Sequence, residues 1–189
     1  GPTPSASTRP LPHDRPRGRP GGRLLRGAFT GGTFCYEALA QLDALGVHCA
    51  SNLKGGGSDV GSPDHLLVDF GDDEFTVGRP HPMIDPSVRD AWVDAALARP
   101  DTAVVLLDVV LGHGSNPHPV DGLLAVLERH GLGEAADAPL VVAHVCGTEL
   151  DAPSRDRIVA LLSIDGVVVA DSNDEAAGWA AAALREAAR

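Results

Sequence analysis

The chain has 189 residues, 43% hydrophobic and 22% charged, enough for one ordinary globular core with some chain to spare. A formal net charge of -11 excludes nucleic acid and anionic membrane surfaces as default partners, yet leaves a small anion open, because that senses only local charge. Three cysteines, Cys35, Cys49 and Cys146, form neither a disulfide framework nor a metal-ligand spacing, so no metal is expected and the setting reads as reducing and cytoplasmic.

Residues Gly1–Gly22 are rich in Pro, Gly, Arg and Ser and hold no apolar period. They cannot bury enough surface to offset the entropy of ordering them, so 1–22 is expected as a disordered linker or tag remnant. Gly1-Pro2 reads as the scar of a removed tag, and residues 23–189 as one domain cut from a longer protein. No apolar run reaches membrane-spanning length, and no signal peptide opens the chain.

The organising stretch is Leu24–Leu45. An apolar run with Leu24, Leu25, Ala28 and Phe29 breaks at Thr30-Gly31-Gly32-Thr33, and Leu39, Leu42 and Leu45 then follow at helical spacing. Strand, glycine turn and helix make the first half of a βαβ unit. Gly31 and Gly32 permit a tight turn and a close backbone approach to a ligand. Thr33 is expected as the N-cap, aiming the N–H groups of Phe34, Cys35 and Tyr36 at a phosphate or carboxylate. An ordinary strand-to-helix turn uses the same residues.

Val47–Ala50 reads as a strand or strand end, and Asn52–Pro63 as a glycine loop serving as lid, substrate loop or mobile connector. His65–Phe70 is a short strand running into the acidic turn Gly71–Glu74. Thr76–Asp85 is a loop, and Asp85-Pro86-Ser87 opens a helix over Val88–Ala98. Thr102–Leu111, nearly all Val and Leu, is a strand buried on both faces. A loop at Gly112–Pro119, a helix over Val120–His130 and a strand at Leu140–Val145 follow. Ser154–Leu162 is helical, Val167–Val169 a strand, and an alanine-rich helix follows Asn173. Repeated β-loop-α units predict an α/β fold, a three-layer αβα sandwich around a mostly parallel sheet. Ligands bind such sheets outside the carboxyl ends of the strands, which gathers the candidates into five loops.

Arg79 and His81 share a proline-stiffened loop. Arg79 suits a bidentate clamp on an oxyanion and His81 a proton or phosphoryl carrier; pairing of Arg79 with Asp72, Asp73 or Glu74 is the bland alternative. Asp108 interrupts the central apolar strand and needs a partner, either a loop histidine such as His118 or a helix N-terminus. Cys146-Gly147-Thr148 suits a thiol nucleophile or an oxyanion-binding turn. The helix dipole would lower the thiol pKa of Cys35, although both cysteines read equally as small core residues. Asn173 ends the loop after the last strand and joins the expected anion-binding set.

The segments GAFTGGTFCYEAL, VDFGDDEFTVGRPHPMID, VVLLDVVLGHGSNPHP and VVAHVCGTELD resemble, in order and spacing, the FdrA family. That family is related to the alpha subunit of succinyl-CoA ligase, and the likeness covers Leu24 to the C-terminus. It implies the second, flavodoxin-like CoA-ligase domain, working with an amino-terminal CoA-binding-type domain or a partner subunit in an oligomer. It also implies that the turn matching Thr30–Glu37 binds a phosphoryl group and that Asp108 matches the acid supporting a phosphohistidine. The ligases carry that histidine in a GHAG loop, and here CGTELDAPSRD runs on without one. The resemblance therefore points to carbamoyl transfer between carbamoyl phosphate and oxamate or a similar small acid, with His81, His118 and Asp108 as the catalytic candidates. The alternatives are a ligase-type reaction, with CoA or nucleotide bound only alongside the missing amino-terminal domain, and a non-catalytic assembly module.

Overall fold

The computed structural model describes residues 18–132 and 137–188. The Val/Leu run forms the longest strand, β4 (Thr102–Val110), fully buried from Thr102 to Asp108. Around it lie β1 (Leu24–Phe29), β2 (Ala50–Ser51), β3 (Leu66–Asp69), β5 (Leu140–Cys146) and β6 (Val168–Ala170). All pair parallel in the order β2-β3-β1-β4-β5-β6. A central parallel strand has helices on both faces, which is why its sequence is continuously apolar. Leaving aside the two-residue edge strand β2, this is the flavodoxin-like order.

One face carries α1 (Gly32–Ala44) and α6 (Asn173–Ala187). The alanines of α6, with Ala176, Ala177, Ala180, Ala181 and Ala183 all fully buried, let that helix backbone lie close to the sheet. The other face carries α3 (Ser87–Ala98), α4 (Asp121–Arg129) and α5 (Arg155–Ile164), which bury Val93, Leu97, Leu123, Leu127, Ile158 and Leu162. Each such side chain removed from water contributes about 1.5–3 kcal/mol before entropy is counted. The expected αβα sandwich is the fold. Among the described residues no helix is long and apolar enough to cross a membrane.

Four local expectations differ. Val47–Cys49 does not join the sheet, because α1 ends in a Schellman motif. Gly46 sits at φ 79°, its N–H bonds Asp43 and that of Val47 reaches back to Leu42, so pairing starts only at Ala50. A one-turn helix α2 (Asp73–Thr76), capped by the Asp72 carboxylate on the Glu74 N–H at 3.0 Å, replaces part of the expected acidic turn and loop. The glycine loop is an anchored connector. Arg26, inside β1 and fully buried, donates to the carbonyls of Val60 (3.1 Å), Asp64 (2.6 Å) and Ser62 within it and just beyond it.

The fourth difference concerns the expected linker. Residues 1–17 lie outside the described residues, but 18–22 pack against the sheet. The Arg19 N–H bonds Ala103 at 3.2 Å, and its guanidinium donates to the carbonyls of Leu97, Arg99 and Asp137. These contacts are made by backbone and a cation, which hydropathy does not register.

Candidate functional site

The sheet order reverses between β1 and β4, so the crevice expected for ligands opens at their carboxyl ends. Asp108 closes its floor. Oδ1 accepts the Thr30 N–H at 2.7 Å and the Thr30 hydroxyl at 2.8 Å, and Oδ2 accepts the Gly31 N–H at 3.0 Å. Burial pushes this carboxyl up, and the Thr30 donors, Arg89 and Gly31 pull it back. From below, Arg89 Nη1 reaches the Asp108 carbonyl at 3.3 Å, while Nε and Nη2 hold Asp90 Oδ1 at 3.0 and 2.8 Å. Asp108 finds its partner in the start of the neighbouring helix, one of the two possibilities its sequence context left open.

The helix itself starts earlier than expected. Gly31, extended at φ -117° and ψ 113°, is the N-cap, and no side chain caps α1. Thr33 is thus a first-turn residue, not the cap. The Cys35 N–H is already bound to the Gly31 carbonyl at 3.1 Å. The groups without intrahelical partners are the N–H of Gly32, Thr33 and Phe34, two residues before the expected Phe34, Cys35 and Tyr36.

On the opposite side of β1 from Asp108 stands Asp69, the last residue of β3, 5% exposed. Asn52 fixes its backbone through bonds to its N–H (2.9 Å) and carbonyl (3.0 Å). Asp69 Oδ1 accepts the Gly71 N–H at 2.8 Å, whereas Oδ2 has no hydrogen-bond donor among the described residues. Oδ2 points at the start of α1: a Cβ on Gly32 would lie 2.8 Å from it. A Cβ on Gly71 would lie 2.8 Å from His81 Nε2, 3.0 Å from the Thr30 carbonyl oxygen and 3.1 Å from Asp69 Oδ1. The two glycines are needed because carboxylate, imidazole and backbone converge where a side chain would stand. Burial pushes the Asp69 carboxyl above the usual range, with Asp72 adding to the rise and Gly71 and His81 opposing it.

His81 is held in one tautomer when neutral. Its Nδ1 accepts the Met83 N–H at 3.2 Å, so the ring proton sits on Nε2, the nitrogen beside Gly71. The loop carrying it is fastened to the loop after β4: Asn116 donates its N–H to Met83 at 2.8 Å and its Nδ2 to Ile84 at 3.0 Å. Arg79 is exposed and has no ion pair among the described residues. The expected bland pairing with Asp72, Asp73 or Glu74 is not made. With Phe70, Phe75, Pro80, Pro82 and Val88 it lines a cavity of about 290 Å³.

Other candidates point elsewhere. His118 is 71% exposed with Nδ1 3.3 Å from Asp121 at the start of α4, and no hydrogen bond joins it to the α1 turn among the described residues. Cys35 is fully buried among the residues between α1 and the sheet, and burial and Asp69 push its thiol up. The expected lowering by the helix dipole is overridden. The Cys146 thiol is pushed up by partial burial, Asp108 and Asp151. Gly147 is crowded by Leu111. The Thr148 N–H and hydroxyl are both taken by Asp151, at 2.6 and 3.1 Å, so that turn is filled from within. Asn173 ties α6 to α1 by donating to the Phe34 carbonyl at 3.0 Å and Glu37 Oε2 at 2.7 Å. The ring of Phe34 stands edge-on to His144, centroids 5.3 Å apart.

Sequence reasoning missed Asp69, Arg89, Asn116 and His144. Asp69 carried the same signal as Asp108, an acid within an otherwise apolar strand. His144, paired with Asp108 across β4 and β5, stood in a run read only for its hydrophobicity.

Residues 28–183 match the CoA-ligase family. The chain belongs to that family. It is 35% identical over 166 residues to an uncharacterized protein, YahF, of Escherichia coli strain K12, covering 84% of this chain and 32% of that protein. The chain thus spans about a third of the length of this curated relative. Its fold resembles the crystal structure of PH0766 from Pyrococcus horikoshii OT3, with a TM-score of 0.55 at 13% identity over 92% of this chain and 37% of the other. In this CoA-ligase domain the glycine turn after β1 meets Asp108 of β4 at the sheet's switch point, and His81 stands beside Gly71 on the β3 side of β1.

Proposed function

We propose that this CoA-ligase domain binds the phosphoryl end of a small acyl phosphate at the start of α1 and serves acyl transfer without a phosphohistidine relay. The observation that carries the reading is the first turn of α1. Its unpartnered N–H groups open into the switch-point crevice beside a histidine whose Nε2 bears the proton. Arg79, on the same loop as His81 and without an ion pair among the described residues, supplies positive charge.

The finer form, supported by the resemblance to FdrA, is transfer from carbamoyl phosphate to oxamate. The acceptor nitrogen attacks the carbamoyl carbon, the bond from that carbon to the phosphate oxygen breaks, and phosphate leaves with the electron pair into the α1 N–H groups, taking up the proton that the acceptor nitrogen releases. His81 Nε2–H donates to the oxygen that gains charge. Family membership also supports a ligase-type reaction with CoA, in which this domain would act beside the parts of a longer protein.

Thermal unfolding of the chain with carbamoyl phosphate, acetyl phosphate, oxamate and CoA added separately tests the reading, since a ligand of the folded state raises the midpoint. A rise with carbamoyl phosphate that Arg79→Ala and His81→Ala each reduce is expected. A rise with CoA alone would favour the ligase form. No rise with either phosphate would sink the anion site.

A further inference from the structure

The unpaired oxygen of Asp69 has a consequence for what the site accepts. Asp69 is 5% exposed and its Oδ1 takes the Gly71 N–H, while Oδ2 has no donor among the described residues yet is not sealed from solvent, so it is free to meet a ligand. Oδ2 faces Gly32 at the mouth of the α1 turn, where the anion of the proposed function would sit. An ionised Oδ2 there would set negative charge against negative charge within van der Waals reach. A protonated Oδ2 would instead give the short, charge-assisted O–H···O bond that oxyanions favour.

We infer that Asp69 is a hydrogen-bond donor to the bound anion, its Oδ2 carrying a proton, so that the site takes up an oxyanion and a proton together. The inference rests on the reading of the α1 turn as the anion site. The surroundings of Asp69 are mixed in sign. Asp72 on the following turn raises its affinity for a proton; His81 on the next loop and the Gly71 N–H lower it. The Cys35 thiol on α1 is coupled to Asp69 and held neutral by burial, and Asn52, uncharged, holds only the Asp69 backbone. Across β1, Asp108 has its own donors in Thr30 and Gly31. Burial decides the balance, and an arriving anion tips it further toward the protonated form.

Sulfate is the probe, because its charge is constant across the working range and any pH dependence belongs to the protein. The chain would be titrated with sulfate between about pH 5 and pH 8, reading the amide signals of Gly32 and Thr33 and the Asp69 carboxyl carbon by NMR. Affinity is expected to fall as pH rises, by up to about tenfold per pH unit once free Asp69 is ionised. The Asp69 carboxyl should titrate at higher pH with sulfate present. Asp69→Asn, whose amide oxygen can keep the Gly71 bond while its Nδ2 donates at every pH, should bind sulfate with a flat profile. His81→Gln should retain the slope. A flat wild-type profile, a slope that survives in Asp69→Asn, or an ionised Asp69 carboxyl in the sulfate complex would overturn the role of Asp69 while leaving the anion site intact. Failure of sulfate to move Gly32 or Thr33 at any pH would remove both.

Discussion

Asp69 ends β3 and Asp108 lies within β4, on either side of β1, yet the same substitution is expected to act on them in opposite ways. Asp108 accepts three donors, so Asp108→Asn forces an N–H group against the Thr30 or Gly31 N–H. A loss of about 2–3 kcal/mol in urea denaturation is expected. Asp69 uses only one oxygen, and its folded pKa is raised. The native state therefore binds its proton more tightly than the unfolded chain. The stability this gives is complete below the ordinary carboxylate pKa and is lost as pH rises through the folded value. Asparagine does not titrate, so Asp69→Asn should gain on the wild type as pH rises from about 4 to 8. A variant that instead loses ground toward alkaline pH would mean that Asp69 is stabilised as an anion. Sequence alone could flag both residues as acids in apolar strands, but not which would find donors, since that depends on the turn after β1.

Elements were legible where burial alone shapes them. The continuous apolar runs gave β1, β4 and β5, and the three-to-four-residue period gave α1 and α4, because facing a core from one or both sides leaves that imprint; α3 was marked by its Pro86 start. Elements set by capping or backbone bonding left none: β2 waits for the Schellman turn, α2 exists through Asp72, and residues 18–22 hold on through Arg19. The buried ion pair of α3 broke the pattern outright, with Arg89 2% and Asp90 5% exposed on the face turned to the sheet and α4. Asp90 Oδ2 would lie 2.6 Å from a Cβ on Gly122, so this carboxylate fills the α3–α4 contact. Arg89→Met would leave Asp90 buried without its cation and remove the bond to the Asp108 carbonyl. A cost of about 3–5 kcal/mol is expected. Arg89→Met with Asp90→Asn should recover most of it. A double variant no more stable than the single one would show that Arg89 acts through Asp108 and not through Asp90.

The whole molecule works against the proposed anion site. A formal charge of -11 surrounds the proposed anion site at the α1 start, while Arg79, without an ion pair among the described residues, lines the cavity beside Phe70 and Phe75, so an arriving anion meets a repulsive field before an attractive contact. The two act over different ranges. The field of the net charge reaches about 30 Å at 0.01 M salt but only about 8 Å at 0.15 M, whereas contacts with the α1 N–H groups are barely screened. Sulfate affinity at fixed pH is therefore expected to rise by about twofold or more between those salt concentrations, the reverse of a basic anion-binding surface. The same titration in Arg79→Ala separates the contributions. If Arg79 grips the anion from the open edge of the crevice, its removal should steepen the rise with salt, because only repulsion then remains to be screened. A wild-type affinity that falls with salt would place the dominant charge contact at Arg79 and reduce the α1 turn to a minor role. A rise retained in Arg79→Ala would fit an anion seated against α1 and Asp69, inside a protein that its net charge otherwise makes unwelcoming.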